Sequence, residues 1–212
     1  MTGVKICGVN SPAAFDAALA ADWIGFVFFP RSPRFVRAAE AAALSARHVG
    51  GPKRVGLFVE PSDSEIEAVL AEVQLDILQV YARPGRVAAL AARFGLPVWQ
   101  AIPVQSASDL PVSAGAAAAL LIEPRAPADA TRPGGNGLTM DWTTLAVWHP
   151  PCPWLLAGGL RPDNVARAIA ESGATAVDVS SGVEDAPGRK SPALIAAFIG
   201  AARSGAAPPA RS

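Results

Sequence analysis

Hydrophobic and polar positions along the chain alternate between two patterns. Short apolar runs rich in β-branched and aromatic residues are separated by alanine-rich segments whose apolar positions recur at helical spacing. We count eight such alternations. They predict strands at Val4–Cys7, Trp23–Phe29, Arg54–Val59, Ile77–Tyr81, Val98–Ile102, Ala119–Ile122, Trp154–Ala157 and Ala176–Val179.

Helices are predicted in the segments that follow the strands. Ser11 before Pro12 and Ser62 before Asp63 are predicted N-caps, because a serine hydroxyl can accept a hydrogen bond from a free N–H of the first helical turn. The predicted helices include Ser11–Ala21, Ala38–Arg47, Ser62–Glu72, Arg86–Phe94, Asn164–Ser172 and Pro192–Ala202.

Eight strand–helix alternations predict a single-domain (β/α)8 TIM barrel, with a doubly wound parallel sheet as the alternative. The 212 residues, 51% of them hydrophobic, suit one domain, which we place at residues 1–204. The segment Arg125–Asn136 is rich in proline and glycine and follows the sixth strand, where a barrel would use it as an active-site loop. Residues 205–212 are predicted to form a disordered tail.

Charge and composition limit the partners of the chain. Lys plus Arg and Asp plus Glu both number 18, so no strong field attracts nucleic acid or an anionic membrane. No apolar run reaches the roughly 18 residues of a membrane span, and the N-terminus lacks the regions of a signal peptide. We therefore expect a cytoplasmic protein that binds neither nucleic acid nor membrane.

Cysteine and histidine give no metal or disulfide pattern. Cys7 and Cys152 are the two cysteines, and neither they nor His48 and His149 have the spacing of metal ligands. The sequence therefore predicts chemistry without a metal or other cofactor.

Two small-residue turns predict a phosphate site. The stretches LLAGGL and AVDVSSGVE each read as a buried strand that runs into a tight turn. Backbone N–H groups exposed at neighbouring strand ends can bind a phosphate dianion. We therefore expect a phosphorylated small molecule to bind at Gly158, Gly159, Ser180, Ser181 and Gly182.

Candidate acid–base groups stand at other strand ends. Cys7 ends the first strand, where a thiol can act as base or nucleophile if its pKa is lowered, although a lone cysteine is more often a small buried hydrophobe. Glu123 ends the sixth strand after apolar residues, which could raise its pKa and make it an acid, although carboxylates at strand ends commonly have no function. Composition and spacing leave both alternatives open.

The exit of the second strand places aromatic residues beside two arginines, Arg31 and Arg34. An aromatic acid could stack on the rings and pair bidentately with one guanidinium. The alternative is a core strand followed by a solvated loop, which we favour for Arg31 alone.

Six motifs follow one another in order between Lys5 and Ser191. They are KICG at Lys5–Gly8, GFVFFPRSPRFV at Gly25–Val36, VGLFV at Val55–Val59, GGNG and DW at Gly134–Gly137 and Asp141–Trp142, LAGGL followed by Pro162 and Asn164, and VDVSSGVE with PGRKS at Val177–Glu184 and Pro187–Ser191. In this order they resemble the phosphoribosylanthranilate isomerase family of tryptophan biosynthesis.

The resemblance implies a metal-free barrel that catalyses an Amadori rearrangement of N-(5-phosphoribosyl)anthranilate. It implies that an acid at Glu123 protonates the furanose ring oxygen and that Cys7 removes the C2 proton. By the same resemblance Arg34 binds the anthranilate carboxylate and Gln79 lies at the substrate. Asp178 supports the substrate or the phosphate loops, or caps a turn. Members of the family occur as monomers and as dimers, which implies a monomer or a homodimer here.

Three positions differ from the family's usual pattern. Glu123 stands where the pattern has aspartate, Gln79–Ala82 (QVYA) stands where it has QLHG, and Leu138 stands where it has a lysine. All three lie at one mouth of the predicted barrel. Two alternatives therefore stay open, namely an isomerase of another N-substituted aminoaldose phosphate and a phospho-ligand-binding protein without activity.

Overall fold

The computed structural model describes residues 1–204 and forms a closed eight-stranded parallel barrel. The strands are β1 (Gly3–Cys7), β2 (Trp23–Val27), β3 (Lys53–Val59), β4 (Ile77–Tyr81), β5 (Val98–Val104), β6 (Ala119–Pro124), β7 (Trp154–Leu156) and β8 (Ala176–Val179). Each strand pairs with its neighbours in chain order, and β8 pairs with β1. This closure confirms the barrel and excludes the doubly wound sheet. The predicted tail at 205–212 lies outside the described residues.

Within residues 1–204, seven α-helices pack around the strands. They are α1 (Pro12–Ala17), α2 (Ala38–Ser45), α3 (Asp63–Leu70), α4 (Pro84–Phe94), α5 (Thr143–Ala146), α6 (Val165–Ser172) and α7 (Pro192–Ser204). Both predicted caps are confirmed. The hydroxyl of Ser11 accepts from the Ala14 amide, and the hydroxyl of Ser62 accepts from the Glu65 amide while the Glu65 carboxylate accepts from the Ser62 amide.

Some boundaries differ from the sequence predictions. Strand β2 ends two residues before the predicted Phe29, because the chain turns there and the Ser32 amide donates to the Phe29 carbonyl. Between β5 and β6 the only regular helical element within the described residues is a 3-10 turn, Ala107–Asp109. After β8 the chain forms another 3-10 turn (Ser181–Val183) and then an unpredicted hairpin of β9 (Glu184–Ala186) and β10 (Arg189–Lys190).

Alternation along the strands sorts side chains between two cores. In β1, Val4 and Ile6 pack in the outer layer against the helices, so Lys5 and Cys7 point into the barrel. The inner layer includes Trp99, which sequence alone could not place and which meets Trp23 edge-on at a centroid distance of 5.3 Å. The inner layer fills the barrel toward the amino ends of the strands and leaves their carboxyl ends open to a pocket.

Candidate active site

All ten residues that the sequence singled out for the site line one pocket at the carboxyl ends of the strands. The pocket encloses about 650 Å³, including its opening to solvent. Strands β1–β4, β6 and β8 and the loops after β2, β6, β7 and β8 contribute its walls. The ten residues are Cys7, Arg34, Gln79, Glu123, Gly158, Gly159, Asp178, Ser180, Ser181 and Gly182.

Cys7 lies beside a buried charged pair. The ammonium of Lys5 is completely buried and lies 2.7 Å from the carboxylate of Asp178. Gly25 leaves room for this group, because an ideal Cβ there would lie 3.1 Å from Lys5 Nζ and 3.2 Å from Cys7 Sγ. The ammonium and the thiol therefore face the same small space in the barrel.

Burial and charge act in opposite directions on these groups. Burial raises the pKa of the Cys7 thiol, while the ammonium of Lys5 opposes that rise. Burial alone would lower the pKa of Lys5, but Asp178 and Cys7 outweigh it and the net pKa is raised. Lys5 therefore stays positively charged, and its charge favours the thiolate form of Cys7.

Glu123 is a buried acid with an unpaired oxygen. Its side chain is 4% exposed, and burial raises its pKa to about 8, with the neighbouring Tyr81 hydroxyl acting against the rise. Its Oε1 has no hydrogen-bond partner within residues 1–204. Burial therefore favours the protonated form of this carboxyl at neutral pH, and the residue lines the pocket, as a general acid requires.

The loop between β6 and α5 covers this acid. An ideal Cβ at Gly134 would lie 2.7 Å from Glu123 Oε2 and would overlap the Tyr81 hydroxyl. Glycine at this position lets the loop backbone lie directly over the longer glutamate side chain. The acid is thereby screened from solvent.

Arg34 is held in place by a carboxylate 150 residues further along the chain. Its Nε and Nη2 donate to the two oxygens of Glu184 at 2.6 and 2.9 Å. Lys190 also contacts Glu184, at 2.8 Å, and the three side chains are buried. The Nε edge of Arg34 is therefore occupied, so a substrate carboxylate can meet this arginine only at Nη1 or across the Nη1–Nη2 edge. Arg31 is exposed.

The predicted phosphate residues come together across β7 and β8. The backbone N–H groups of Gly158, Gly159, Ser181 and Gly182 donate no hydrogen bond to the described protein. The hydroxyl of Ser180, by contrast, is already hydrogen-bonded within the protein. It donates to the Cys7 carbonyl at 3.2 Å and accepts from Lys190. A phosphate contact from Ser180 would therefore involve its backbone.

Unpaired buried polar atoms concentrate in this pocket. Both polar atoms of the Gln79 amide, Oε1 of Glu123 and Nε of Arg132 lack a partner within the described chain, and all three residues line the pocket. Burying such atoms without hydrogen bonds costs about 1–3 kcal/mol each. This concentration indicates that a polar ligand belongs there.

Sequence reasoning assigned no role to five residues of this site: Lys5, Tyr81, Arg132, Glu184 and Lys190. Lys5 had a local signal, because it lies two residues before Cys7 in an otherwise apolar strand and so shares its face. Glu184 and Lys190 lay within recognised motifs, but their pairing with each other and with Arg34 depends on the hairpin.

The fold and these side chains define a class, that of β/α-barrel enzymes with candidate acid–base groups at the carboxyl ends of the strands. Comparison with known proteins narrows it. The model of the N-(5'-phosphoribosyl)anthranilate isomerase family matches residues 4–201. The chain is 52% identical over 203 residues to the isomerase of Granulibacter bethesdensis, covering 94% of this chain and 97% of the relative. It is 51% identical to that of Rhodospirillum rubrum, covering 96% and 99%.

Solved structures agree with this result. TrpF from Jonesia denitrificans superposes with a TM-score of 0.79 at 40% identity, over 96% of this chain and 97% of that one. A phosphoribosylanthranilate isomerase bound to reduced 1-(o-carboxyphenylamino)-1-deoxyribulose 5-phosphate gives a TM-score of 0.80 at 31% identity, over 96% and 99%. The chain belongs to the phosphoribosylanthranilate isomerase family, whose activity is an aldose–ketose isomerisation of tryptophan biosynthesis. Among the described residues, no helix has the length and apolar character needed to span a membrane.

Proposed function

We propose that the chain isomerises N-(5'-phosphoribosyl)anthranilate with Glu123 as general acid and Cys7 as general base. One observation carries these roles: a carboxyl whose pKa is about 8 and a thiol beside a buried ammonium line the same pocket. These are the two proton-transfer groups that an Amadori rearrangement needs, one to open the ring and one to remove a proton from carbon.

The first step uses the protonated form of Glu123. Its proton passes to the furanose ring oxygen as the bond between that oxygen and C1 breaks, and the nitrogen lone pair forms the C1–N double bond. The product is an open-chain Schiff base with a free hydroxyl, and Glu123 is left as a carboxylate. The Tyr81 hydroxyl supports that carboxylate, since it favours the charged form of Glu123.

The second step uses Cys7 as a thiolate. It takes the C2 proton, and the electrons of the C–H bond move toward the iminium nitrogen, which gives an enolamine. Tautomerisation of the enolamine to the ketone completes an isomerisation in which no electrons leave the substrate. The charge of Lys5 stabilises the thiolate in this buried space, where the neighbouring carboxylate of Asp178 acts against it.

The remaining residues position the substrate in this proposal. The phosphate meets the free N–H groups at Gly158, Gly159, Ser181 and Gly182 and the backbone at Ser180, while the carboxylate meets Arg34. The unpaired amide of Gln79 bonds substrate oxygens. Asp178 acts indirectly, through the position and charge of Lys5.

Replacement of Glu123 by glutamine tests the acid role. The amide keeps the shape of the side chain but holds no acidic proton, so turnover should fall by about 10²–10⁴-fold. Inhibition by inorganic phosphate should remain unchanged, because the substitution leaves the phosphate cradle, formed by Gly158, Gly159, Ser181 and Gly182, unaltered. Undiminished turnover by Glu123→Gln would remove this residue from the mechanism.

We also infer a cytoplasmic location and a monomeric or homodimeric state. A relative from Thermotoga maritima, 31% identical, is described as a dimeric enzyme from which monomers were generated. Size-exclusion chromatography with light scattering distinguishes the two states for this chain.

A further inference from the structure

Two guanidinium groups meet at Gly135 in the loop between β6 and α5. An ideal Cβ at this glycine would lie 2.8 Å from Arg34 Nη1 and 3.9 Å from Arg132 Nε. Arg132 donates from Nη2 to the Gly135 carbonyl at 3.3 Å, which holds its side chain near its own loop. Two cations therefore approach the same corner of the pocket from different elements.

Their charges are only partly balanced by the described part of the protein. Glu184 is the carboxylate that pairs with Arg34, and it is shared with Lys190. Within residues 1–204, Arg132 has no salt bridge and its buried Nε has no hydrogen-bond partner. Like charges repel, so this corner is unfavourable unless an anion occupies it.

The course of the loop indicates which substrate anion this is. Its later residues lie at the phosphate cradle, because an ideal Cβ at Gly137 would lie 3.8 Å from Ser181 Oγ and one at Gly159 would lie 2.8 Å from the Leu138 carbonyl carbon. Arg132 and Gly135 lie instead on the side of Arg34. The two ends of the loop thus face two different anionic sites.

The wall beside Arg34 suits an aromatic ring. Val27, Phe29, Leu57 and Val59 line the same pocket and form one apolar cluster with Cys7 and Tyr81. A benzoate ring against these residues would direct its carboxylate toward the guanidinium groups.

We propose that Arg132 is a second substrate-binding cation, which binds the aromatic carboxylate together with the free Nη1 of Arg34. The proposal rests on the proposed function and adds a residue from the covering loop to it. It also gives that loop a positive charge at a position other than Leu138.

Arg132→Met tests the proposal because it removes the charge and keeps an unbranched side chain of similar length. Four quantities are measured: KM and kcat for the substrate, the inhibition constant of anthranilate, and the inhibition constant of inorganic phosphate. Arg125→Met is the matched control, since Arg125 belongs to the same loop but pairs with Asp109 at 3.2 Å on the surface. Arg132→Lys keeps the charge without the planar fork.

We expect Arg132→Met to raise KM and the anthranilate inhibition constant about tenfold or more and to leave phosphate inhibition unchanged. Arg132→Lys should recover part of the loss, and Arg125→Met should behave as wild type. Unchanged anthranilate inhibition in a folded Arg132→Met protein would overturn the proposal, as would weakening of phosphate inhibition alone. Anthranilate binding is also measured by calorimetry without turnover, so failure of the isomerase mechanism is distinguishable from failure of this inference.

Discussion

The packing of the phosphate cradle predicts that Gly182→Ala weakens phosphate binding. An ideal Cβ there would lie 2.8 Å from the Leu160 carbonyl carbon and would overlap the carbonyl oxygen. Non-bonded carbon atoms normally keep about 3.5–4.0 Å apart. Because the obstacle is backbone, no side-chain rotation relieves the overlap in Gly182→Ala, and the turns after β7 and β8 must separate by about 1 Å.

This displacement sets the expected loss. Hydrogen bonds from backbone N–H to a phosphate oxygen span about 2.7–3.2 Å, so a further 1 Å breaks them. A hydrogen bond to a charged group contributes about 1.5–3 kcal/mol, so the loss of two weakens the free energy of phosphate binding by at least about 3 kcal/mol. KM and the inhibition constant of inorganic phosphate should therefore both rise by about a hundredfold or more.

Steady-state kinetics and phosphate inhibition, with thermal unfolding by circular dichroism, measure this effect. Gly200→Ala is the control, since a Cβ at that helical position meets no atom within 4 Å and should leave kinetics unchanged. A folded Gly182→Ala protein with wild-type phosphate inhibition would show that the turns do not bind phosphate.

Two further predictions concern charge. Below about pH 8 both Glu123 and the thiol are protonated, whereas the reactive form holds the acid's proton but not the thiol's. The pKa of Glu123 is about 8, and burial raises that of Cys7. We therefore expect kcat/KM to rise from pH 6 toward pH 8 and to fall only at higher pH. A flat profile from pH 6 to 8 would contradict this expectation. Lys5→Met leaves Asp178 buried without its partner and should lower the free energy of unfolding by about 3–5 kcal/mol, as measured in urea; a loss under 1 kcal/mol would refute this role for the pair.

Much of the site could be predicted because a barrel brings strand ends together whatever their distance in sequence. Cys7 and Glu123 stand at such ends and were singled out from the strand pattern, whereas Gln79 and Asp178 were assigned through the family resemblance. The turns after β7 and β8 were recognisable from their glycines, and barrel closure brings these two strand ends together as well.

The electrostatic partners could not be predicted because they depend on three-dimensional closure. Lys5 meets Asp178 only because β1 pairs with β8, and that register becomes known when the barrel is closed. Arg34 meets Glu184 through the β9–β10 hairpin, which two- and three-residue strands do not signal by periodicity. The prediction of bidentate substrate pairing at Arg34 therefore did not include its occupied edge.

The role of Cys7 as general base of an isomerase is tested by comparing wild type with Cys7→Ser. Freshly generated phosphoribosylanthranilate is followed by its fluorescence as each protein consumes it, with phosphate inhibition measured alongside. We expect rapid turnover by wild type and a rate lower by orders of magnitude in Cys7→Ser, because a hydroxyl is too weak an acid to supply the base. No turnover by wild type would contradict the isomerase activity, and equal turnover by the two proteins would contradict the role of Cys7 as base.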